Sequence, residues 1–319
     1  MYHYVRHSRD TSPGGIRPLF VSEFEKQLDW LKENFRLVSP DQFLSGLRSG
    51  FRSSRKPLCL LTFDDGTRDH LEVVFPILQR RSLQAVFFVL TWPSEEQKLP
   101  VTHALHWLLG QPEHRLWDEL KSLAETMPGG IRALGAPEDA ARIYHYESPL
   151  RASIKYAINF ALPPDVAQQV IAHLLRSNGK TPDQLVVEWF LTASEIQRLH
   201  SGGMDIGMHG CSHRSLRQLG AEGVRKEIAH SSSYLKGLVG EAPIWFSPPF
   251  GGSDISEELA AIHEACRRAN VEAIVTTRKG LVTSKSDAYD IPRYDCIYLP
   301  PRGNDTEILP NPTRKQRYS

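Results

Sequence analysis

Two short apolar stretches, each followed at once by polar side chains, place the strongest constraint on how this 319-residue chain folds. Residues 58–63 predict a buried strand that ends in two carboxylates and a glycine, Asp64-Asp65-Gly66. Residues 204–208 predict a second strand, and two histidines four residues apart, His209 and His213, follow it directly. Functional side chains collect at the carboxyl ends of parallel strands, so the pattern predicts that the residues after these two strands form one functional site.

The rest of the chain alternates strands with helices on either side of a long helical stretch. Before that stretch, helices are predicted over 20–33 and 71–80, and a second buried strand over 84–90. After it, the sequence predicts helices over 194–200 and 222–238 and strands over 244–246 and 273–276. Strands that alternate with helices indicate parallel pairing and an α/β fold.

Between about residues 92 and 187 the strand signal disappears. Five helices are predicted there, over 103–109, 116–125, 137–143, 150–160 and 164–175. Because the alternating pattern resumes afterwards, we interpret this region as a helical insertion in a single domain of residues 1–300. Residues 301–319 are polar and rich in proline, and we expect them to form a mobile tail.

Composition narrows the classes of protein to which the chain can belong. Its 38 Lys and Arg residues nearly balance 37 Asp and Glu residues, so nothing indicates a nucleic-acid or membrane-surface partner. No apolar run reaches 18 residues and no signal peptide is evident, so we expect no transmembrane segment and a cytoplasmic location. The four cysteines form no C-x-x-C pair and are predicted to be reduced: Cys59, Cys211, Cys266 and Cys296.

The adjacent aspartates are the first candidate functional residues. Neighbouring residues at the end of a strand point in different directions, so Asp64 and Asp65 can serve two roles. One carboxylate can bind a cation while the other accepts a proton. A plain turn is the alternative, because Asp-Asp-Gly is ordinary turn chemistry.

The histidine pair is the second candidate. If the segment turns helically, His209 and His213 share a face and can chelate one ion. Imidazole combined with carboxylate suits zinc or another late first-row divalent ion. Two surface histidines in a loop are the alternative. Cys211 lies between them, but a helical turn would place it on another face, so we expect it to be a bystander.

A proline-rich loop after a predicted strand is the third candidate. Residues 246–252 (Phe-Ser-Pro-Pro-Phe-Gly-Gly) form a rigid segment that can hold a backbone N–H in a fixed direction, or a plain turn. Other histidines show no comparable spacing and are expected to lie at the surface or in the core: His7, His70, His103, His106, His145, His173 and His263.

With these segments the chain resembles the polysaccharide deacetylase superfamily, the NodB-homology or carbohydrate esterase family 4 enzymes. Residues 62–66 (Thr-Phe-Asp-Asp-Gly) match the first motif of that family, and residues 209–213 fit its H-x-x-x-H motif. Residues 249–251 (Pro-Phe-Gly) resemble its third motif. The resemblance spans roughly 1–91 and 186–295, and it implies a distorted, incomplete (β/α) barrel with the site at the carboxyl ends of the strands.

The resemblance also implies roles for individual residues. Asp64 would be the general base, and Asp65, His209 and His213 would bind one divalent metal ion, with zinc the first choice. The backbone N–H of Phe250, next to Pro249, would help to bind the oxyanion.

Two departures from the family pattern concern the general acid and the partner of the base. Where the third motif usually opens with an arginine that pairs with the base, this chain has Ser247, and Arg293 is the candidate replacement. The late Leu-x-His motif of the family has no obvious match. The chain opens with Met-Tyr-His-Tyr-Val, similar to a subgroup that deacetylates poly-N-acetylglucosamine, so His3 is our candidate general acid; an ordinary histidine near a chain end is the alternative.

The expected function is therefore metal-dependent removal of an N-acetyl group from an amino sugar, in a cytoplasmic precursor of a surface glycan. Two alternatives stay open. One is a catalytically retired, carbohydrate-binding protein of the same fold, and the other is a metal-dependent amidase or deformylase that acts on another N-acyl substrate.

Overall fold

A computed structural model of the protein describes residues 1–7, 15–50, 56–251, 259–283, 285–303 and 308. Its strands are β1 (Val5–Arg6), β2 (Leu19–Phe20), β3 (Arg36–Leu37), β4 (Leu58–Cys59), β5 (Leu61–Phe63), β6 (Ala85–Val89), β7 (Asp205–Met208), β8 (Trp245–Phe246) and β9 (Ala273–Ile274). Strands β5 to β9 form one parallel sheet in chain order, while β1 pairs with β2 and β3 with β4.

Helices surround this curled half-barrel sheet, which confirms the α/β incomplete-barrel fold predicted from the sequence. They are α1 (Val21–Asn34), α2 (Pro40–Ser49), α3 (Phe75–Arg80), α4 (Thr91–Glu95), α5 (Val101–Leu108), α6 (Glu113–Glu125), α7 (Pro137–Ile143), α8 (Pro149–Tyr156), α9 (Pro164–Ser177), α10 (Pro182–Trp189), α11 (Ala193–Ser201), α12 (Leu216–Val239) and α13 (Leu259–Arg268). Single π-helical turns lie at His70–Val74 and Ala157–Ala161, and 3-10 turns at Gly130–Leu134, Pro249–Gly251 and Cys296–Tyr298.

Strand β6 lies at the centre of the core because both of its faces are covered. All five of its residues are buried, as expected of a parallel sheet packed on both sides. On one face Phe87 stacks on Phe63 with ring centroids 4.8 Å apart. On the other face Phe88 belongs to a cluster that contains Trp245. This packing holds the carboxyl ends of the strands in a fixed arrangement.

Backbone pairing at the two edges of the sheet brings distant parts of the chain together. Tyr2 pairs in parallel with Phe63 at one edge, and Ile291 pairs in parallel just beyond β9 at the other. The backbone N–H of Cys296 donates to the carbonyl of Met1 at 3.0 Å. The two edge segments therefore meet, and the residues that follow them face the same end of the sheet.

Helices α4 to α10 lie within residues 91–189; α5 to α9 correspond to the five helices predicted there, whereas α4 and α10 were not predicted. They surround an apolar core of their own, with Leu105, Leu120 and Leu174 nearly fully buried. The same cluster includes Tyr4 and Leu90 from the α/β part, so these helices pack directly on the sheet. Their description as an insertion in one domain stays a prediction.

Some details differ from the sequence-based expectation. The predicted strand over 58–63 is divided at Leu60, because β4 pairs with β3 whereas β5 pairs with β6. Strands β1 to β3 have only two residues each, too few for a periodic signal. Most of the predicted tail, 304–307 and 309–319, lies outside the described residues, but Ile308 is buried. Over the described ranges, no helix has both the length and the apolarity to cross a membrane.

Candidate active site and metal centre

The site lies where several parallel strands end. Asp64 and Asp65 follow β5 directly, His209 follows β7, and Ser247 follows β8. Only 2–3% of the surface of Asp64 and Asp65 is exposed. Because buried carboxylates are costly unless they are paired, their partners define the chemistry of the site.

A turn at the end of β5 aims the two aspartates in different directions. Asp65 has a φ of 84°, which is rare for a residue other than glycine, and Gly66 follows with a φ of 68°. A Cβ atom on Gly66 would lie 3.0 Å from Cγ1 of Val89, so the turn also needs glycine for close approach to β6. The Asp-Asp-Gly segment is thus a turn that also presents two buried carboxylates.

Asp65, His209 and His213 converge on one point. Oδ1 of Asp65 lies 3.3 Å from Nε2 of His209 and 3.4 Å from Nε2 of His213. The three ligand atoms lie within 4.8 Å of one another. Among the described residues, Oδ1 has no aligned hydrogen-bond donor although it is buried. One carboxylate and two imidazoles with this convergence fit a catalytic zinc site, in which a further position stays open.

The orientation of His209 suits ligation through Nε2. Its Nδ1 lies 2.6 Å from the carbonyl oxygen of Ser247, so Nδ1–H donates there and Nε2 faces Asp65. Burial lowers the pKa of His209, but Asp65 and the nearby carboxylate of Asp64 raise it overall. Burial holds the pKa of His213 well below its usual value, which favours the neutral imidazole that a metal ion needs.

The two histidines come together through a loop, and not through the helical turn that was one possibility for their spacing. Gly210 and His213 have positive φ values of 77° and 55°. The carboxylate of Glu227 on α12 accepts the backbone N–H groups of Cys211 at 2.5 Å and Ser212 at 3.2 Å. It also accepts the hydroxyl of Ser212 at 2.5 Å. This single carboxylate therefore fixes the loop between the two histidines.

Cys211 is directed away from the point of convergence. Its Sγ donates to the carbonyl oxygen of Glu227 at 3.4 Å. Burial raises the pKa of its thiol, which disfavours the thiolate that zinc would require.

Asp64 is held by Arg293. The guanidinium donates to Oδ1 at 2.7 Å and to Oδ2 at 2.8 Å, a bidentate geometry that is among the stronger ion-pair arrangements. Ser247 accepts from the same guanidinium at 2.9 Å and donates to Asp64 at 3.3 Å. Burial raises the pKa of Asp64, but Arg293 more than offsets it, so the pKa lies below its usual range. Asp64 is consequently ionised at neutral pH.

The remaining predicted residues border this cluster. His3 is half-buried, and its carbonyl accepts from Nε2 of His70 at 2.8 Å. A protonated His3 lies near enough to Asp64 to lower the pKa of that carboxyl. Pro249 is buried, while Phe250 has a φ of 58° and its ring centroid lies 5.1 Å from that of His213.

Sequence reasoning missed His103. It was expected at the surface or in the core, yet α5 places its ring in the site, fully buried, with Nε2 3.3 Å from Oδ2 of Asp65. No motif or spacing connects position 103 with position 65. The available signal was a histidine two residues from each of two apolar residues of the helix, Val101 and Leu105.

Comparison with known proteins agrees with this fold. The model of the polysaccharide deacetylase family matches residues 52–127 and 166–270, together more than half of the chain. The chain therefore belongs to the polysaccharide deacetylase family, which confirms the resemblance seen in its motifs. The unmatched residues 128–165 lie within the helical region.

A curated relative covers a smaller part of the chain. The putative polysaccharide deacetylase YxkH of Bacillus subtilis (strain 168) is 29% identical over 91 residues, which is 28% of this chain. The match spans 30% of that relative, less than a third of its length.

Solved structures match nearly the whole chain. The deacetylase PplD of Streptococcus pyogenes, solved in complex with acetate, is 16% identical with a TM-score of 0.55, covering 95% of this chain and 92% of that one. IcaB from Ammonifex degensii is 17% identical with a TM-score of 0.50, covering 98% and 91%. The polysaccharide deacetylase BC0361 from Bacillus cereus is 16% identical with a TM-score of 0.53, covering 93% and 63%. At these identities the likeness concerns the fold.

Proposed function

We propose that this protein is a metal-dependent hydrolase that removes the N-acetyl group from an amino sugar. The observation that carries the proposal is that the neighbouring carboxylates of Asp64 and Asp65 have different partners. Asp65 converges with two imidazoles on a point suited to an ion, whereas Asp64 is held apart by Arg293. Asp65, His209 and His213 would hold a divalent ion, which would supply polarisation of the amide carbonyl and activation of water.

Asp64 is the general base in this proposal. Its ion pair with Arg293 keeps it ionised, so it can take a proton from the attacking water. Adding water across the amide yields acetate and a free amine. The backbone N–H of Phe250 would stabilise the charge on the carbonyl oxygen, a contribution worth about 3 kcal/mol of barrier for one donor. His3, near Asp64, would protonate the departing amine.

The same contacts weigh against the alternative of a retired enzyme. That alternative rested partly on Ser247 standing where related enzymes carry an arginine. Arg293 reaches the same carboxylate from another part of the chain, and Ser247 bonds to both, which supports a working base. An amidase or deformylase with a non-sugar substrate has the same chemistry and differs only in the group recognised. The cytoplasmic location and the nature of the sugar carrier stay predictions.

The proposal is tested by comparing Asp64→Asn with Asp65→Asn. We expect Asp64→Asn to retain one equivalent of zinc by elemental analysis but to lose about 10²-fold or more in turnover, because the base is gone. Asp65→Asn should lose both the metal and the activity. Turnover is measured as amine and acetate release from N-acetylated amino sugars that are free, nucleotide-linked, lipid-linked or polymeric.

The same panel includes N-formyl and cyclic imide compounds. If only these compounds release product, the protein is an amidase or deformylase and its substrate is not an N-acetylated sugar. Wild-type turnover in Asp64→Asn would remove Asp64 as the base, and bound metal without release from any substrate would favour the carbohydrate-binding alternative.

A further inference from the structure

His103 is a buried histidine without an ordinary structural partner. Its side chain is inaccessible to solvent, and within the described part of the chain neither ring nitrogen has an aligned hydrogen bond. Its ring packs against those of Phe190 and His213, with centroids 4.9 Å and 5.2 Å away. Since buried polar groups in folded proteins are almost always paired, the polar atom nearest to it should have a role.

The carboxylate oxygen Oδ2 of Asp65 lies 3.3 Å from Nε2 of His103. The two oxygens of the carboxylate are thus divided, because Oδ1 faces His209 and His213. His103 does not belong to the group of ligand atoms that lie within 4.8 Å of one another. It therefore approaches the carboxylate from outside the point of convergence.

We propose that His103 is a positioning residue for the metal-binding carboxylate. Its Nε2–H, 3.3 Å from Oδ2 of Asp65, would donate to that oxygen once the carboxylate binds the ion, and would hold it so that Oδ1 stays directed at the site. Partners of this kind orient metal ligands and are typically worth 10–100-fold in affinity or activity. The inference rests on the proposed function, since it takes Asp65 to be a metal ligand, and it makes the helical region part of the active centre.

Helix α5 is anchored well enough for this task. Thr102 donates through its hydroxyl to Oδ1 of Asn159 at 3.1 Å, and Asn159 donates to the hydroxyl of Tyr144 at 3.0 Å. These buried contacts join α5 to the π-helical turn at 157–161 and to Tyr144, the residue that follows α7. The position of the His103 ring is therefore set by the packing of the helical region.

His106, one turn further along α5, provides a matched control. It is also a histidine on the same helix, but its Nδ1 lies 3.2 Å from the hydroxyl of Tyr4, and no hydrogen bond or ion pair joins it to Asp65. A change at His106 perturbs the same helix without removing the contact to the carboxylate.

The test measures zinc affinity by competition with a chromophoric chelator in four full-length proteins. These are wild type, His103→Phe, His103→Gln and His106→Gln. His103→Phe keeps the ring but removes the donor, and we expect it to bind zinc about 10–100-fold more weakly. His103→Gln keeps an N–H donor and should retain most of the affinity, as should His106→Gln. Thermal unfolding of the metal-free proteins checks that all four are folded.

The outcomes separate this inference from the proposed function. If wild type binds no zinc, the proposed metal-dependent function fails and the role of His103 fails with it. If wild type binds zinc and His103→Phe binds equally well, only the role of His103 is overturned, and equal loss in His103→Phe and His103→Gln would overturn it too. The visible spectrum of the cobalt-substituted protein should be unchanged in His103→Gln; a changed spectrum would place His103 among the ligands instead.

Discussion

At the scale of single residues, two adjacent aspartates differ because their neighbours differ. Asp64 meets a guanidinium and Asp65 meets imidazoles, so burial, which alone would raise both pKa values, is offset by different partners. The sequence predicted two separate roles, since adjacent side chains at a strand end diverge. It offered Arg293 only as a candidate, because a contact across 229 positions leaves no local pattern.

Replacing Arg293 should change the pH dependence of the reaction. In Arg293→Met the burial of Asp64 remains but its cation is lost, so the pKa of Asp64 rises. The base is then protonated over a range in which the wild-type base is ionised. We expect kcat/KM to fall about 10²-fold or more at neutral pH, with partial recovery as the pH rises, and pH–rate profiles measure both effects.

Arg278→Met is the control, because Arg278 forms a half-exposed ion pair with Asp290. Its profile should match that of the wild type. A pH-independent loss in Arg293→Met would mean that Arg293 acts only on the fold.

At the scale of secondary-structure elements, α12 and the loop after β7 act together. The spacing of His209 and His213 suggested a helical turn, but a loop with left-handed residues joins them and Glu227 ties it to α12. The two histidines could be identified as candidate ligands from the sequence. The conformation of the loop between them could not, because it depends on the carboxylate of Glu227, 14 residues after His213.

We expect Glu227→Gln to destabilise the protein and weaken zinc binding. The variant keeps one acceptor oxygen but loses the charge on which the N–H and O–H groups of Cys211 and Ser212 converge. Hydrogen bonds to charged groups contribute about 1.5–3 kcal/mol each. Urea unfolding should show a loss of that order in the free energy of unfolding, and chelator competition should show the weaker affinity.

Glu222→Gln, on the same helix, controls for the change of charge. Glu222 forms exposed ion pairs with Arg225 and Lys226, which are worth little. Its unfolding free energy should stay within about 0.5 kcal/mol of wild type. Equal effects of both substitutions would show that net charge, and not the loop, decides stability.

At the scale of the whole molecule, the order of helices and strands was predictable because each is encoded by its own periodicity. The meeting of the two edge segments of the sheet was not predictable. It depends on strands of only two residues and on the hydrogen bond from the backbone N–H of Cys296 to the carbonyl of Met1. His103 was missed for a related reason. Its partner Asp65 follows β5 and lies far from α5 in the sequence, and a histidine on a helix usually has only a structural role.

Metal binding should stabilise the entire protein. The proposed ligands follow two different strands, so an ion that binds only the folded state shifts the unfolding equilibrium. At 1,000 times its dissociation constant the gain is about 4 kcal/mol, visible as a higher midpoint of thermal unfolding. A chelator should reverse the shift, and Asp65→Asn should show none. A wild-type midpoint that is insensitive to both zinc and chelator would contradict the site.

The contact between Arg293 and Asp64 has a consequence for how related sequences are sorted. A search that requires an arginine at position 247, two residues before the Pro-Phe-Gly segment, would set this chain aside as defective, although the guanidinium of Arg293 bonds to Asp64 and to Ser247. Selection would act on a guanidinium placed beside Asp64, and an arginine at either position 247 or position 293 could supply it. Among relatives we expect the two positions to covary, with an arginine at one relaxing the requirement at the other.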